Sequence, residues 1–301
     1  MEKAWTTDGF TIERLRTFCR IAEAGSITLA AKGDANRQSQ FSRQVKELEE
    51  FFETKLLERA GKSVRLTEAG RKLALLTQSF FREIESLRAT ESLERVIQIC
   101  AGESVLRWLV IPRLAEMRGI APESRFEFTA RSTAQSLEDV KTGRADFAIV
   151  RKDATDDSLS ALPCGEMQYS FVVPRKLLPG RTAAGIQLLP SIPFALLTGD
   201  GILAKQILAW AAKTGLKLDI RVKAENFSLL LSSIENADLA AVLPLPSVAS
   251  LSKERFATVY LEGIESLTRQ LVLTYSTQAA ELRSIIRQLA PRLSSMFSDG
   301  P

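Results

Sequence analysis

The stretch that most constrains the fold is residues 26–66, where a short helix, a longer helix and a basic hairpin are predicted in succession. Gly25 and Ser26 end one helix and cap the next, and polar residues 33–36 then break that second helix. In the third predicted helix, residues 37–52, apolar side chains recur at intervals of 4, 3 and 4, the spacing of a helix packed on a core. These side chains are Phe41, Val45, Leu48 and Phe52.

The solvent-facing side of this third helix is divided by charge. A polyanion would be attracted to its first half and repelled by the acidic second half, so only the N-terminal end is expected to approach phosphates. A recognition helix docks on DNA in this way. The first half contains Arg37, Gln38, Ser39, Ser42, Arg43 and Lys46, and the second half contains Glu49, Glu50 and Glu53.

A short hairpin with a basic glycine turn follows Leu56 and Leu57. Beside a helix-turn-helix such a hairpin is a wing, and Arg59, Lys62 and Arg65 could straddle the sugar-phosphate backbone or enter the minor groove. The alternative is a three-helix module whose cations are ordinary solvated surface residues. The order and spacing of these features together favour DNA binding.

A wider set of residues follows one unbroken register through the first 70 positions. It consists of Leu15-Arg16-Thr17-Phe18, residues 22–27, Ala30-Ala31, Gln38, Ser42-Arg43-Gln44, Leu48-Glu49, Leu57-Glu58-Arg59 and residues 66–70. This set resembles the signature of the LysR-type transcriptional regulators. The sequence departs from that family at Asp34, Asn36, Arg37 and Ser39, where Leu, Val, Ser and Pro are usual. The first two are expected to loosen the packing of the second helix on the third, and the last two to alter the tip that reads bases.

The composition narrows the function further. The chain has no histidine, which excludes His-based acid-base catalysis and nucleophiles and makes the common zinc sites unavailable. Neither a P-loop nor a dinucleotide-binding glycine motif occurs. We therefore expect no enzyme, no metal site and no cofactor, the ligand being an unknown small-molecule effector. A net charge of +4 permits nucleic-acid binding without demonstrating it.

The cysteines and the hydropathy indicate a cytoplasmic protein. Cys19, Cys100 and Cys164 are odd in number and far apart in apolar surroundings, so they are expected to be buried, reduced thiols, with a redox sensor as the alternative. No signal peptide is recognised at residues 1–9, and no apolar run approaches about 18 residues. Contact with a membrane is not expected.

A long helix is predicted from about residue 67 to residue 90. A helix that projects from a small domain must bury its apolar stripe, and self-association is the economical solution. The alternative is packing on the C-terminal part of the same chain. The resemblance favours a homodimer, because this helix pairs two DNA-binding modules in that family, and it leaves open a tetramer and a contact with RNA polymerase. The stripe consists of Leu73, Leu76, Phe80, Ile84 and Leu87.

The second half of the chain alternates between strands and helices. The order β-α-β-α-β indicates a parallel sheet with right-handed crossovers. Two such runs, joined near residues 164–174 and 262–268, predict two lobes connected by two crossings. This layout resembles the family's periplasmic-binding-protein-like effector domain, and residues 143–150 are the best local match.

A ligand is expected between these lobes, since ligands of open α/β sheets collect at the carboxyl ends of strands beside helix N-termini. The alternative is that the Ser and Thr residues there are only helix caps. Glu103 and Asp200 would flank the cleft, offset by Arg131 and Arg151, and four inward-facing charges would favour a zwitterionic or amine-bearing effector. The candidate contacts are Gly102, Ser104, Ser132, Thr133, Arg151, Thr198, Gly199 and Asn226.

These patterns predict an N-terminal all-α winged helix-turn-helix with a long linker helix, followed by an α/β two-lobed periplasmic-binding-protein-like effector domain. The expected function is a sequence-specific DNA-binding transcriptional regulator modulated by a small molecule. The alternative is a small-molecule-binding protein of the same fold that has lost specific DNA recognition. The expected limits are residues 1–66, 67–93 and 94–301, with lobe I at about 94–165 and 268–301 and lobe II at about 166–267.

Overall fold

The N-terminal region forms three helices and a hairpin, as the sequence predicts. A computed structural model describes residues 10–61, 63–88, 95–178, 191–199 and 201–298, and all structural statements concern those residues. Lys62 and Asp200 lie outside them. The elements are α1 (Ile12–Ala24), α2 (Ile27–Ala30), α3 (Ala35–Phe51), β1 (Leu57–Ala60) and β2 (Ser63–Leu66).

Side-chain caps fix where these helices begin. The hydroxyl of Thr11 accepts a hydrogen bond from the amide of Arg14 at 3.2 Å, and Ser26 caps α2. Asp34 caps α3 by accepting from the amide of Arg37 at 3.0 Å, so α3 starts earlier than predicted. Asp34 and Asn36 are both exposed, so neither side chain adds to the packing of α2 on α3, and the expected loosening stays a prediction.

Two neighbouring apolar clusters hold the three helices together. One position assigned to this core from the sequence, Phe52 just beyond the end of α3, is exposed instead. Phe52 packs edge-on against the ring of Phe51, with centroids 4.9 Å apart. One cluster contains Leu15, Phe18, Cys19, Leu48, Leu56, Leu66 and Ala74, and the other contains Ile21, Ala31, Phe41 and Val45.

The linker helix α4 (Glu68–Arg88) packs on both halves of its own chain. Ala74 belongs to the N-terminal core and Leu75 to the core of the C-terminal region. Gly143, whose φ of 74° favours glycine, lies directly against Leu75. The packing alternative therefore holds for this face of α4, while another line of apolar side chains on α4 stays exposed.

Lobe I is built on a five-stranded mixed sheet. Its strand order is β4-β3-β5-β12-β6, with β3 parallel to β4 and β5, and β12 antiparallel to β5 and β6. The strands are β3 (Arg95–Ala101), β4 (Ser124–Ala130), β5 (Phe147–Arg151), β6 (Ser160–Met167) and β12 (Arg269–Tyr275). The helices are α5 (Glu103–Val105), which continues through a π-helical and a 3-10 turn into α6 (Leu114–Ile120), then α7 (Thr133–Lys141), α10 (Thr277–Leu282) and α11 (Ser284–Ser298).

The second lobe, lobe II, is built around two smaller groups of strands. Central β7 is antiparallel to β10 and β11, whereas β8 and β9 are parallel, and a bridge between Phe194 and Ala240 links the groups. The chain passes between the lobes at Gln168 and again at Thr268. Lobe II comprises β7 (Tyr169–Pro174), β8 (Ile192–Leu197), α8 (Gly201–Lys213), β9 (Leu218–Ala224), α9 (Phe227–Ala237), β10 (Ala241–Pro244) and β11 (Phe256–Val259).

The predicted fold class is confirmed, but the sheets are not purely parallel. Strands joined through a helix are parallel, as expected. β12 is antiparallel to β5 and β6, and β7 is antiparallel to β10 and β11. β7 and β12 are the strands that follow the two crossings between the lobes. No helix in the described part of the chain is long and apolar enough to span a membrane.

Candidate DNA-binding surface and effector cleft

The first half of α3 presents polar and basic side chains to solvent. Ser39, Ser42, Arg43 and Lys46 are exposed, as is Arg37 near the tip. Gln38 is half-buried, and its carbonyl oxygen accepts a hydrogen bond from the hydroxyl of Thr28 at 3.2 Å. This contact with α2 positions the carboxamide and leaves its amino group to donate to an acceptor on a base edge.

Ion pairs along α3 and with α1 hold the basic side chains in place. Arg43 donates to Glu47 at 2.9 Å, and Glu47 also pairs with Arg14 at 2.5 Å. These hydrogen bonds, first from Arg43 and then from Arg14, lower the pKa of Glu47, so one carboxylate is shared by two guanidinium groups. Lys46 pairs with Glu50 at 3.3 Å. Exposed pairs of this kind are weak enough for a phosphate to replace the carboxylate.

Glu49 has a structural role that its position in the acidic second half of the third helix did not predict. Its carboxylate accepts from the amides of Leu56 at 2.9 Å and Leu57 at 3.1 Å, and from the ammonium of Lys55 at 2.7 Å. Burial alone would raise the pKa of Glu49, but these three donors lower it. Glu49 therefore fixes the start of the wing to the end of α3. Helical spacing gives no signal for a contact seven or eight residues along the chain.

The wing places its two described arginines on opposite faces. Arg59 is paired across the hairpin with Val64, and Arg65 with Glu58, so their side chains point to different sides. Arg65 also lines a cavity of about 370 Å³ beside Arg144 of lobe I. A duplex lying on one face of the wing meets one of these arginines and not both, which limits the predicted straddling.

Three of the side chains proposed for the effector cleft already make hydrogen bonds within the chain. Ser132 and Gln135 form a reciprocal capping box at the start of α7, and Asn226 caps α9 by accepting from the amide of Leu229 at 2.9 Å. Thr198 donates to the carbonyl of Ala224 at 3.1 Å. The side chains of Ser132 and Asn226 thus have the capping role, whereas Thr198 caps no helix and joins the ends of β8 and β9. Of the remaining candidates, Gly102 precedes α5, Ser104 lies within it, and Thr133 begins α7.

Two further candidates are constrained by their neighbours. A Cβ atom at Gly199 would overlap the carbonyl oxygen of Glu225, so only glycine allows the turns after β8 and β9 to approach this closely. Arg151 lies 3.5 Å from Asp153 and is largely buried. Its charge is therefore partly neutralised within lobe I.

Glu103 bridges the two lobes at the carboxyl end of β3. One carboxylate oxygen accepts from the amide of Phe227 at 2.9 Å, and the other accepts from the hydroxyl of Ser228 at 2.8 Å. Arg107 of lobe I donates to the same hydroxyl at 2.9 Å. The N-terminus of α9, which favours an anion, is thus occupied by a carboxylate of the chain itself. Arg131 instead pairs with Asp139 at 3.3 Å, so the expected set of four inward-facing charges does not form.

A buried ionic network joins the linker helix to lobe I. Asp146, with 3% of its side chain exposed, accepts from Arg82 at 2.8 Å, from Arg283 and from the amide of Gln98 at 2.9 Å. Arg82 also donates to the carbonyl of Arg144 at 2.9 Å. Burial lowers the pKa of Arg82 and the charge of Asp146 opposes that shift. Arg82 and Arg283 were not singled out from the sequence, and Asp146 was named only within residues 143–150.

The three cysteines are buried thiols, as predicted. Burial is the main reason why the pKa of each, Cys19, Cys100 and Cys164, is raised to about 12. A thiol with such a pKa has almost no thiolate at neutral pH, which disfavours the redox-sensor alternative. The described residues contain no group of three His, Cys, Asp or Glu side chains that could hold a metal ion.

The apolar stripe of α4 divides into two parts. Leu76, Phe80 and Ile84 lie on one line of the helix and are 39%, 46% and 36% exposed. Leu73 differs, because it is half-buried against the N-terminal core. The side chain of Leu87 lies outside the described residues. Three of the five predicted interface residues are thus available to a partner.

Comparison with known proteins gives matches along most of the chain. Residues 12–71 match the bacterial regulatory helix-turn-helix protein family, lysR family, and residues 90–293 match the LysR substrate binding domain. The chain is 26% identical over 298 residues to the uncharacterized HTH-type transcriptional regulator YfeR of Shigella flexneri, covering 92% of this chain and 94% of that protein.

Solved structures of low sequence identity have the same fold. Full-length OxyR from Pseudomonas aeruginosa is 18% identical, with a TM-score of 0.64, and the match covers 96% of this chain and 97% of that one. ArgP from Mycobacterium tuberculosis is also 18% identical with a TM-score of 0.64, covering 95% and 97%.

Proposed function

Because the chain belongs to the LysR family of DNA-binding transcriptional regulators with an effector-binding domain, we propose that it binds a two-fold operator as a homodimer and reads it with α3. The observation that carries this proposal is the start of α3, where Thr28 positions Gln38 between exposed Arg37 and Ser39. A half-buried carboxamide held by a neighbouring helix suits readout of a base edge. In this scheme the family departures at Arg37 and Ser39 alter which bases are read.

The other side chains of this surface fix the protein on the duplex. Ser42, Arg43 and Lys46 lie about one to two turns further along α3 and would contact phosphates on one side of the major groove. Arg59 would contact the backbone or the minor groove from the wing. Arg65 points to the opposite face of the wing and is less suited to this contact. Lys62 remains a prediction from the sequence.

Binding to the DNA upstream of the chain's own gene, titrated in salt with random duplex as competitor, tests this proposal. For Gln38→Ala we expect a loss of about 1–3 kcal/mol of discrimination between specific and random DNA. For Arg43→Ala we expect weaker binding to both, with the salt slope reduced by about 0.9. Arg118→Ala, an exposed arginine on α6, serves as the control and should change neither. Equal losses on both DNAs for Gln38→Ala would refute its role in base readout.

The homodimer is proposed to form through the exposed line on α4. Leu76, Phe80 and Ile84 recur every four residues, so two such helices could bury them against each other. Phe80→Asp should therefore convert dimers into monomers in light scattering at micromolar concentration. Tyr260→Asp, which changes a more exposed ring on lobe II, is the control. An unchanged mass for Phe80→Asp would reject this interface.

The effector is proposed to bind between the lobes, near Gly102, Ser104, Thr133, Thr198 and Gly199. Its binding would change the contact of Glu103 with α9, and hence the angle between the lobes. We further propose that the domain limits are those expected from the sequence, that the protein acts in the cytoplasm and that it has no enzymatic activity. A tetramer and a contact with RNA polymerase remain extensions of this scheme. The alternative of a binding protein without DNA recognition gains nothing from the comparisons.

A further inference from the structure

A second polar cavity lies outside the effector cleft, between the N-terminal helices and lobe I. Its volume is about 530 Å³, within the range of small-molecule sites. α1 forms one wall, α4 the second, and the strands β3 and β4 with α7 the third. None of the candidate effector contacts lines it, but Arg131, which the sequence placed among the charges of the cleft, lies here instead.

The lining of this cavity has an excess of positive charge. Arg82 is already neutralised by Asp146 beneath it. Four guanidinium groups then remain, those of Arg16, Arg20, Arg131 and Arg144, against two carboxylates, Glu23 and Asp139, which leaves a surplus of two.

The carboxylates do not neutralise the guanidinium groups on α1. Asp139 is shared by Arg131 at 3.3 Å and Arg144 at 2.7 Å, both from lobe I. The carboxylate of Glu23 accepts from the side-chain carboxamide of Gln78 at 3.0 Å. Neither Arg16 nor Arg20 forms an ion pair with any described residue, and Arg16 instead lies over the ring of Phe81 at 5.6 Å.

From this arrangement we propose that the cavity binds a small anion carrying two or more negative charges on phosphate or carboxylate groups. Guanidinium groups bind such oxyanions through paired, charge-assisted hydrogen bonds. The ligand would lie between Arg16 and Arg20 on one side and Arg131 and Arg144 on the other. It would therefore bridge α1 to lobe I, where Arg144 already donates to the carbonyl of Ala22 at 3.2 Å.

The test is calorimetric titration of the full-length chain with inorganic pyrophosphate and, separately, with citrate, at a constant ionic strength of about 0.15 M. Saturable binding of at least one anion is expected. Comparing the affinities of pyrophosphate and citrate shows whether the cavity prefers phosphate or carboxylate groups. The double variant Arg16→Gln/Arg20→Gln should weaken binding about tenfold or more, since it removes the two unneutralised charges. Both residues are exposed, so the variant is expected to fold.

Two further variants make the outcome specific. Arg118→Gln/Arg287→Gln removes two exposed arginines of lobe I that lie outside the cavity and should leave the affinity unchanged. Glu23→Gln removes an opposing charge and should tighten binding about threefold, which a damaged fold would not do. The proposal is overturned if neither anion saturates, if both arginine doubles lose affinity equally, or if Glu23→Gln fails to tighten binding. DNA takes no part in this assay, so its outcome is separate from that of the operator experiment.

Discussion

The charged side chains of α3 and those beneath α4 are arranged in opposite ways. On α3 the acids and bases pair one turn apart, and the side chain of Arg43 is 81% exposed. Beneath α4, Arg82, Asp146 and Arg283 come from three distant parts of the chain and are 19%, 3% and 8% exposed. Breaking an exposed ion pair costs little free energy, so its side chains can pair instead with the charges of a binding partner. A buried set is costly to break, because each lost partner leaves an uncompensated charge.

The largest expected effect comes from the buried set. Asp146→Asn should lower the free energy of unfolding by about 3–5 kcal/mol, because two buried guanidinium groups lose their counter-charge. Urea-induced unfolding measures this difference. Asp156→Asn, which removes an exposed carboxylate 2.9 Å from Lys141, is the matched control and should cost at most about 1 kcal/mol. Equal losses in the two variants would contradict the distinction between the two regions.

An intermediate effect is expected at Glu49, which lies on α3 but is only 11% exposed. Glu49→Gln should cost about 1.5–3 kcal/mol, since three donors lose an ionised acceptor. The pKa of Glu49 is lowered in the folded state, so its stabilisation is present above the unfolded pKa and is lost as pH falls through the folded value.

Unfolding measured from pH 7 down to about pH 3 should therefore show the Glu49→Gln variant and the unchanged chain converging in stability as carboxylates protonate. Glu53→Gln, at an exposed acid just past α3, is the control. A constant difference across this pH range would show that the charge of Glu49 is not what stabilises the wing.

The smallest effect is expected at Glu50, the exposed partner of Lys46. Glu50→Gln should change the free energy of unfolding by at most about 0.5 kcal/mol. It should tighten binding to random duplex about twofold at low salt, because it removes a negative charge near the phosphates. Glu254→Gln, an exposed acid of lobe II, controls for net charge. A large loss of stability for Glu50→Gln would mean that this surface pair behaves like the buried network.

The same contrast explains what could be predicted from the sequence. The helices of the N-terminal region, the wing and the exposed position of Arg43 follow from caps and spacing within a few residues. Phe52 was misplaced because helical periodicity does not hold beyond the end of a helix.

The contacts between distant residues could not be predicted in this way. Glu103 meets Phe227, 124 residues away, and Arg283 meets Asp146 across 137 residues. Local patterns carry no information about such pairs. They also could not distinguish a helix cap from a ligand contact at Ser132 and Asn226, because both roles favour the same residue types.

The contact of Glu103 with α9 has a consequence for how gene expression would follow the amount of a metabolite. An anion that is to occupy the N-terminus of α9 must first displace this carboxylate. Its apparent dissociation constant is then the intrinsic one divided by the fraction of molecules in which Glu103 has moved away. A fraction of about one in a hundred would raise the concentration for half-maximal response about a hundredfold. The threshold of the dose-response curve would thus be set by a side chain of the regulator itself, and one substitution there would shift it without changing a contact to DNA.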